Sequence, residues 1–435
     1  MKNLGTRCSS GRTVFGALTV LLVAASLSGC GGQTTGTAVA SEIDVRKLAV
    51  GNYPTDPFDL REAYQHDGSG GKALAQTRLA DHVVIGADVD PKFSHNVLGG
   101  RLDPTSAEFS KVLAGAVQPV LASNGMMFGF SSASSTRPVP KSTAHDRSGN
   151  FNPFDGAETD PEATVFNVTV LQFPDQQRAQ AAADQMEAAD FAVAADQNVH
   201  ISLDKQPNAK AHWRPGVPSM AATLAYGQYV VNVYVAQPKP DLDGLRSFEE
   251  QVFAAQLPLL DQAPALSPHE IFRLDYDPDD MLRRTLHPRD VAKPNVKSEA
   301  TRTARGYLHL VDDQTTWKRL LDDSGVDRTS TASYGGLLYR ARDAKAATQL
   351  WSGINGTTAK SVDAPAGVPN VSCAVVPTDD VDVLRFQYDI PETDTAYLCT
   401  LHYDRYVARV ASPQLIDAQQ KAAAQFALLA NSQYM

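Results

Sequence analysis

One candidate serine, a run of clustered carboxylates, ten histidines and four cysteines are the groups in this 435-residue sequence that could do chemistry. A nucleophilic serine needs a sharp strand-to-helix turn with a histidine and an acid close by. The nearest string, Gly129-Phe130-Ser131-Ser132-Ala133, follows a strand-like run but lacks the second glycine, and no helical pattern follows it. It reads as a serine-rich loop. The densest acids are Glu270, Asp275, Asp277, Asp279 and Asp280. A calcium loop would need a glycine at its sharp turn and a closing glutamate. Pro278 with acids beside it, followed by Met281 and Leu282, instead predicts a helix start with proline at its first position. His309 with Asp312 and Asp313 reads as a solvated helix face. No two histidines are spaced for a zinc helix, and neither a Walker A loop nor G-x-G-x-x-G occurs. No catalytic residue, metal ligand or cofactor site is assigned.

The cysteines are more informative. Lys2, Arg7 and Arg12 precede an apolar run, Val14 to Ser26, and residues 1–29 contain no acid. The run is too short for a bilayer, which takes about 20 residues, and fits the hydrophobic part of a signal peptide. Leu27-Ser28-Gly29-Cys30 follows and resembles the lipobox of bacterial lipoproteins. That resemblance implies a thioether-linked diacylglycerol on Cys30 and cleavage before it. Residues 31–42 are small and polar, a flexible tether reaching about 20 Å. The protein is thus expected on the outer face of a cell membrane, held by lipid.

Without residues 1–29 the chain keeps 36 basic and 49 acidic side chains, a net of −13. Such a charge argues against nucleic acid, whose phosphates need a basic face, and against docking on anionic headgroups. Cys8 leaves with the signal and Cys30 carries lipid, so Cys373 and Cys399 remain. In an oxidising compartment they most simply pair. The rival reading is two free thiols as redox groups or metal ligands, though without nearby histidines they make a poor zinc site.

The elements that must position these groups fall into an α+β pattern. Residues 43–102 read as irregular chain with short strands such as Val83–Ile85. Asp103-Pro104 reads as the start of a helix ending at Asn124-Gly125. Residues 134–162 form a long polar loop. Strands are expected at 126–130, 165–171 and 200–203, with a hairpin at 220–235 about Gly227-Gln228. Helices are expected over 175–189 and 245–257. The C-terminal part repeats the plan: strands near 336–340, 371–376, 382–388, 396–402 and 405–411, helices over 343–354 and 413–429. Residues 278–325 between the copies look helical. Three similarities recur in order: Asp175-Gln176-Gln177-Arg178-Ala179 with Asp343-Ala344-Lys345-Ala346-Ala347, Gly216-Val217-Pro218 with Gly367-Val368-Pro369, and Tyr226-Gly227-Gln228-Tyr229-Val230 with Tyr403-Asp404-Arg405-Tyr406-Val407. They predict two related β-α-β-β-α units with antiparallel sheets, preceded by an irregular N-terminal region. The domains would be 43–265 and 266–435. The second would carry an extra hairpin stapled by Cys373–Cys399. The repeated tyrosines and valines suit half-buried strands and read as core.

As a whole the chain resembles a family of actinobacterial envelope lipoproteins with no assigned function. The carrying residues are the lipobox at Leu27–Cys30, Tyr53-Pro54-Thr55, Arg78-Leu79-Ala80-Asp81-His82-Val83-Val84 and the C-terminal cysteine pair. The resemblance brings no catalytic residue with it. The reading that follows is a tethered, non-catalytic module binding an envelope lipid, peptide or protein. Its alternatives are an envelope hydrolase whose site assembles only in three dimensions, around Ser131 or the acids of 270–280, and a structural component of an envelope complex.

Overall fold

An aspartate stands before each longer helix whose first turn is satisfied by a side chain. Asp67, Asp175, Asp313 and Asp343 accept from the backbone N–H of Gly70, Arg178, Thr316 and Ala346 at 2.7–2.9 Å, which supplies a partner to donors a helix start leaves orphaned. The computed structural model describes residues 43–104, 112–138, 160–287, 294–296, 298–332, 335–355, 360–376, 395–433 and 435. Cys30, the apolar run, the tether, residues 139–159 of the polar loop and the strand expected at 382–388 lie outside them.

The helices are α1 Gly68–Leu79, α2 Gly86–Val89, α3 Gln118–Ser123, α4 Gln176–Phe191, α5 Leu242–Leu260, α6 Pro268–Phe272, α7 Ala304–Leu308, α8 Gln314–Asp323, α9 Ala344–Asn355 and α10 Leu415–Asn431. The strands are β1 His95–Leu102, β2 Phe128–Ser135, β3 Val165–Gln172, β4 Val199–Ile201, β5 Lys210–Trp213, β6 Ser219–Tyr226, β7 Tyr229–Ala236, β8 Ala300–Arg302, β9 Arg328–Thr331, β10 Gly336–Arg340, β11 Lys360–Val362, β12 Val371–Val376, β13 Ala396–Tyr403 and β14 Tyr406–Ser412. They form two antiparallel seven-stranded sheets, ordered β1-β2-β3-β7-β6-β5-β4 and β8-β9-β10-β14-β13-β12-β11. The two orders are the same once the strands of each sheet are counted from its first. The duplication is therefore real and larger than a β-α-β-β-α unit: each copy is a strand, a helical stretch, two strands, a helix, four strands and a closing helix. Its turns repeat as well. Gly125 and Gly325 end the helix before β2 and β9 with φ of 68° and 56°, the left-handed stop that glycine adopts at little cost.

One detail of the repeat differs from expectation. Gly216-Val217-Pro218 turns β5 into β6, whereas Gly367-Val368-Pro369 turns β11 into β12, so these tripeptides are not equivalent. The disulfide joins two strands that both copies possess, and the additional strand expected at 382–388 lies outside the described residues. Cys373 and Cys399 face each other across β12 and β13, and the first copy has the same pair of strands, β5 and β6, with Ala211 opposite Ala222. The connection is longer, residues 377–395 in place of 214–218.

Other elements were hidden from periodicity. Residues 112–124 hold only a turn at Gly115–Val117 and the short α3, because Pro119 has no N–H for a helix begun upstream. Among its described residues the stretch 278–325 is helical in pieces, α7, α8 and 3₁₀ turns at Pro278–Asp280 and Leu282–Arg284, with the strand β8 among them. Asp279 and Asp280 take left-handed backbone conformations, φ 61° and 56°. Asp279 pairs with Arg328 at 2.8 Å and Asp280 with Arg61 at 2.5 Å, contacts that fix the turn.

The copies are sewn together by the segment that follows α1. Val83 and Val84 are fully buried in the core beneath the first sheet, and Ile85, next in line, is buried with Tyr307, Leu337 and Tyr339 beneath the second. A buried glutamine holds this strap as another strand would. Gln256 of α5 accepts from Val84 N–H at 3.0 Å and donates to the His82 carbonyl at 2.9 Å. Gln425 of α10 does the same for the segment before β8, accepting from Leu286 N–H at 2.6 Å and donating to the Arg284 carbonyl at 2.9 Å. Asp44–Met435 forms one compact unit.

Glu249 interrupts this order. It sits in the middle of the apolar stripe of α5, fully buried, and its carboxyl oxygens meet no hydrogen-bond partner among the described residues. Burial drives its pKa well above the ordinary value, so folding must keep a proton that the unfolded chain releases above its ordinary pKa. Stability is then lost as pH rises. Glu249→Leu is expected to raise stability by about 2 kcal/mol at neutral pH, the order of an unsatisfied buried polar group. The gain should be larger at pH 8 than at pH 5 in urea unfolding, and a destabilised variant would refute it.

Candidate functional site

Each residue singled out for chemistry has a definite place. Ser131 lies in the middle of β2, fully buried. It donates to Asn167 Oδ1 at 2.7 Å and lies 3.0 Å from Thr169 Oγ1, with no histidine in contact among the described residues. It is strand, not loop, and it is not an activated nucleophile. Asp277 is buried, and its carboxylate wraps the backbone of the next turn, accepting from Leu282 and Arg283 N–H at 2.6 and 3.1 Å. Burial pushes it up to about 6, against the pull of those two donors. It opens a single 3₁₀ turn rather than an α-helix. Beside it Tyr276 and His287 both bond Glu299 at 2.6 Å. Burial works to raise the Glu299 carboxyl, but these hydrogen bonds outweigh it and hold its pKa low. Among the described residues no group of three metal-ligating side chains is found in this network. Its residues span the joint between the copies, and it fastens that joint.

His309 departs most from its expected role. It is not on a solvated face but buried at the end of α7, 2% exposed, between the copies. Its Nε2–H donates to the Ala80 carbonyl at 3.0 Å and its ring meets Phe130 edge-on at 5.0 Å. The contact is close: a Cβ on Gly99 would lie 2.3 Å from the His309 carbonyl oxygen. Asp313 serves instead as the cap of α8. Burial lowers the His309 pKa from 6.5 to about 4. The folded protein therefore refuses a proton that the unfolded chain accepts below 6.5, and stability falls on acidification between those values. The stability difference between wild type and His309→Gln should shrink by up to about 3 kcal/mol from pH 7 to pH 4. A difference that is flat with pH would contradict a neutral buried imidazole.

An open groove lies elsewhere, at the tip of the first copy's hairpin. Its volume is about 370 Å³, and it runs between the β6–β7 turn, the start of α4 and the end of α5. Gly227, at φ 59°, makes the tight turn. Tyr229 is core, its hydroxyl pushed up to about 12 by burial. Tyr226 is half-buried: it packs against the core, its ring is partly exposed along the groove, and its hydroxyl bonds Asp261. Leu260 and Ala263 make an apolar floor, and Asp175, Gln176 and Gln228 a polar rim. The wall after α5 is held by Gln172, which accepts from Leu266 N–H at 3.0 Å and donates to the Leu266 carbonyl at 2.7 Å.

The second copy builds the same frame with a different side chain at its tip. Phe173 N–H bonds the Gln228 carbonyl at 2.9 Å, and Ala341 N–H bonds the Arg405 carbonyl at 2.8 Å, so the two hairpin tips sit alike on their helix starts. Tyr403, like Tyr226, bonds a side chain just past the closing helix, here Gln433. At the place of Gln228, however, Arg405 folds back and its Nε donates to the Ala341 carbonyl at 2.9 Å. Within the matching hairpin tips the copies differ at two positions, Gly227 against Asp404 and Gln228 against Arg405, and both first-copy residues line the groove.

The fold and groove define a tandem α+β protein of two interlocked copies, one with an open cleft. Residues 62–276 match the model of the Domain of unknown function (DUF7373) N-terminal, and residues 281–432 match that of the Domain of unknown function (DUF7373) C-terminal. The chain belongs to the DUF7373 family. The crystal structure of the extracellular domain of PknH from Mycobacterium tuberculosis is similar to 41% of this chain over 93% of its own length, at 14% identity and a TM-score of 0.25. No curated protein matches the chain. No helix among the described residues is long and apolar enough to cross a membrane.

Proposed function

We propose that the protein is exported, anchored on the outer face of the cell membrane through lipid on Cys30, and acts there as a non-catalytic binding module. The ligand site is the groove of the first copy, in the 43–265 part, while the 266–435 part is its structural partner. One observation supports this reading: a groove opens at the tip of the first copy's hairpin, where the equivalent hairpin of the second copy carries Arg405, its Nε on the Ala341 carbonyl, in place of Gln228. Ser131, buried and hydrogen-bonded to Asn167, gives a hydrolase reading no support at that serine. The volume falls in the lower part of the roughly 300–1,000 Å³ range of small-ligand sites.

Two measurements test it. Cys30→Ala should move the protein from the membrane fraction to the soluble exported fraction. A variant that still partitions with membranes would refute the anchor. The chain purified from its own host should show in its native mass spectrum a discrete additional mass that denaturation removes. A bare mass would count against a tightly held small ligand.

A further inference from the structure

We propose that the groove takes a neutral saccharide, one or two rings long, laid with a ring face along Tyr226. This rests on the groove being the ligand site. Three properties of the groove select the class. First, charge: among the described residues no lysine or arginine lines it, and Asp175 stands on its rim, so an anionic ligand is disfavoured. A cation gains little, because the nearby carboxylates are engaged. Asp175 Oδ1 caps α4 at 2.8 Å from Arg178 N–H, with Arg178 Nε 3.7 Å from Oδ2, and Asp261 holds the Tyr226 hydroxyl.

Second, the walls are of two kinds. Leu260, Ala263 and the Tyr226 ring offer apolar surface, while Gln176 and Gln228 are carboxamides that both donate and accept. A sugar ring has the matching pair, an apolar C–H face and a rim of hydroxyls that donate and accept. An aromatic ring with a polar end suits such contacts. Third, shape: the groove sits at the closed end of a hairpin, where β6 pairs β7 down to Tyr226 opposite Tyr229. No free strand edge is presented there, so an extended peptide has no backbone to pair with. A lipid tail would leave the carboxamides without partners.

The second copy suggests the change to test, since Arg405 stands where the first copy has Gln228. Gln228→Arg gives the first hairpin the side chain that folds across the second. The experiment is saturation-transfer NMR on the full chain with neutral disaccharides of gluco, galacto, manno and N-acetylglucosamine type. Tyr226→Ala and Gln228→Arg are compared with wild type, their fold checked by thermal melting. The expected result is saturable binding of at least one disaccharide, weakened about tenfold or more in both variants. Absence of binding by every disaccharide, or binding that survives Gln228→Arg, overturns the saccharide assignment. The two readings fail separately. A mass carried from the host that Gln228→Arg removes, but that no disaccharide displaces, leaves the groove as the site and rejects the sugar. A carried mass that Gln228→Arg retains rejects the groove itself.

Discussion

Gln425→Ala is expected to lower stability by about 2–5 kcal/mol, with Gln256→Ala close behind. Each glutamine satisfies a backbone N–H and a backbone carbonyl of a segment that belongs to no sheet. Gln256 and Gln425 are themselves fully buried, as are Val84 and Leu286. Truncation therefore leaves one donor and one acceptor unmet, at about 1–3 kcal/mol each. The lost contact alone would be worth less, because water competes for it in the unfolded chain. Gln419 is the comparison: it also donates to a backbone carbonyl, that of Asp363 at 2.7 Å, but at the exposed surface. Gln419→Ala should stay within about 0.5 kcal/mol. Urea unfolding of the three variants decides the matter. Equal, small losses in all three would show that the buried clamps do not hold the straps.

The second large effect concerns the disulfide. Converting Cys373 and Cys399 together to alanine should cost about 3.5 kcal/mol, the chain-entropy value for a cross-link spanning their 26-residue separation. The native geometry is a direct cross-strand pair, Cys373 opposite Cys399 and Cys399 opposite Val410. The first copy shows that the sheet tolerates alanine at these places. Its Ala211 faces Ala222, and Ala222 faces Val233, which is the partner of Val410 in the repeat. The double variant should therefore keep its fold and lose stability, with hydrogen exchange speeding up first in β11 and β12. The bond matters more in the second copy because residues 377–395, rather than 214–218, must be closed into a loop there. No change in unfolding midpoint would mean that the long connection is held by other contacts.

Much of the architecture was legible where periodicity and punctuation agree. The alternation of Val165–Leu171, the capped and alanine-rich α4, and the stripe Leu245, Phe248, Val252, Phe253 of α5 all form as the pattern demands. The duplication was legible because Tyr-x-x-Tyr-Val marks one hairpin in each copy. Its full extent was not. β4, β8 and β11 are three residues long, too short for alternation to register. The twelve-residue α1, Gly68–Leu79, escaped because it is rich in glycine and buried on several sides, so it has no polar face to set the period. The strap Val83–Ile85 reads as a strand and is extended, but its partner is a glutamine side chain about 170 residues later, a pairing with no local signature.

The site was less legible still. His309 beside two aspartates looks solvated, and only the packing of two distant segments buries it. Ser131 follows a strand-like run and resembles the start of a loop, yet β2 continues through it because β1 and β3 pair on either side. The groove lies where the copies differ, Gly227 against Asp404 and Gln228 against Arg405, a difference which means something only after the two hairpins are superposed as equivalents.

The claim that one of two equivalent frames is kept open for a ligand is tested most directly by native mass spectrometry of wild type and Gln228→Arg, both purified from the protein's own host. The account predicts an additional mass on the wild type that is lost on denaturation and missing from Gln228→Arg. The same additional mass on both proteins would place the ligand elsewhere and contradict it.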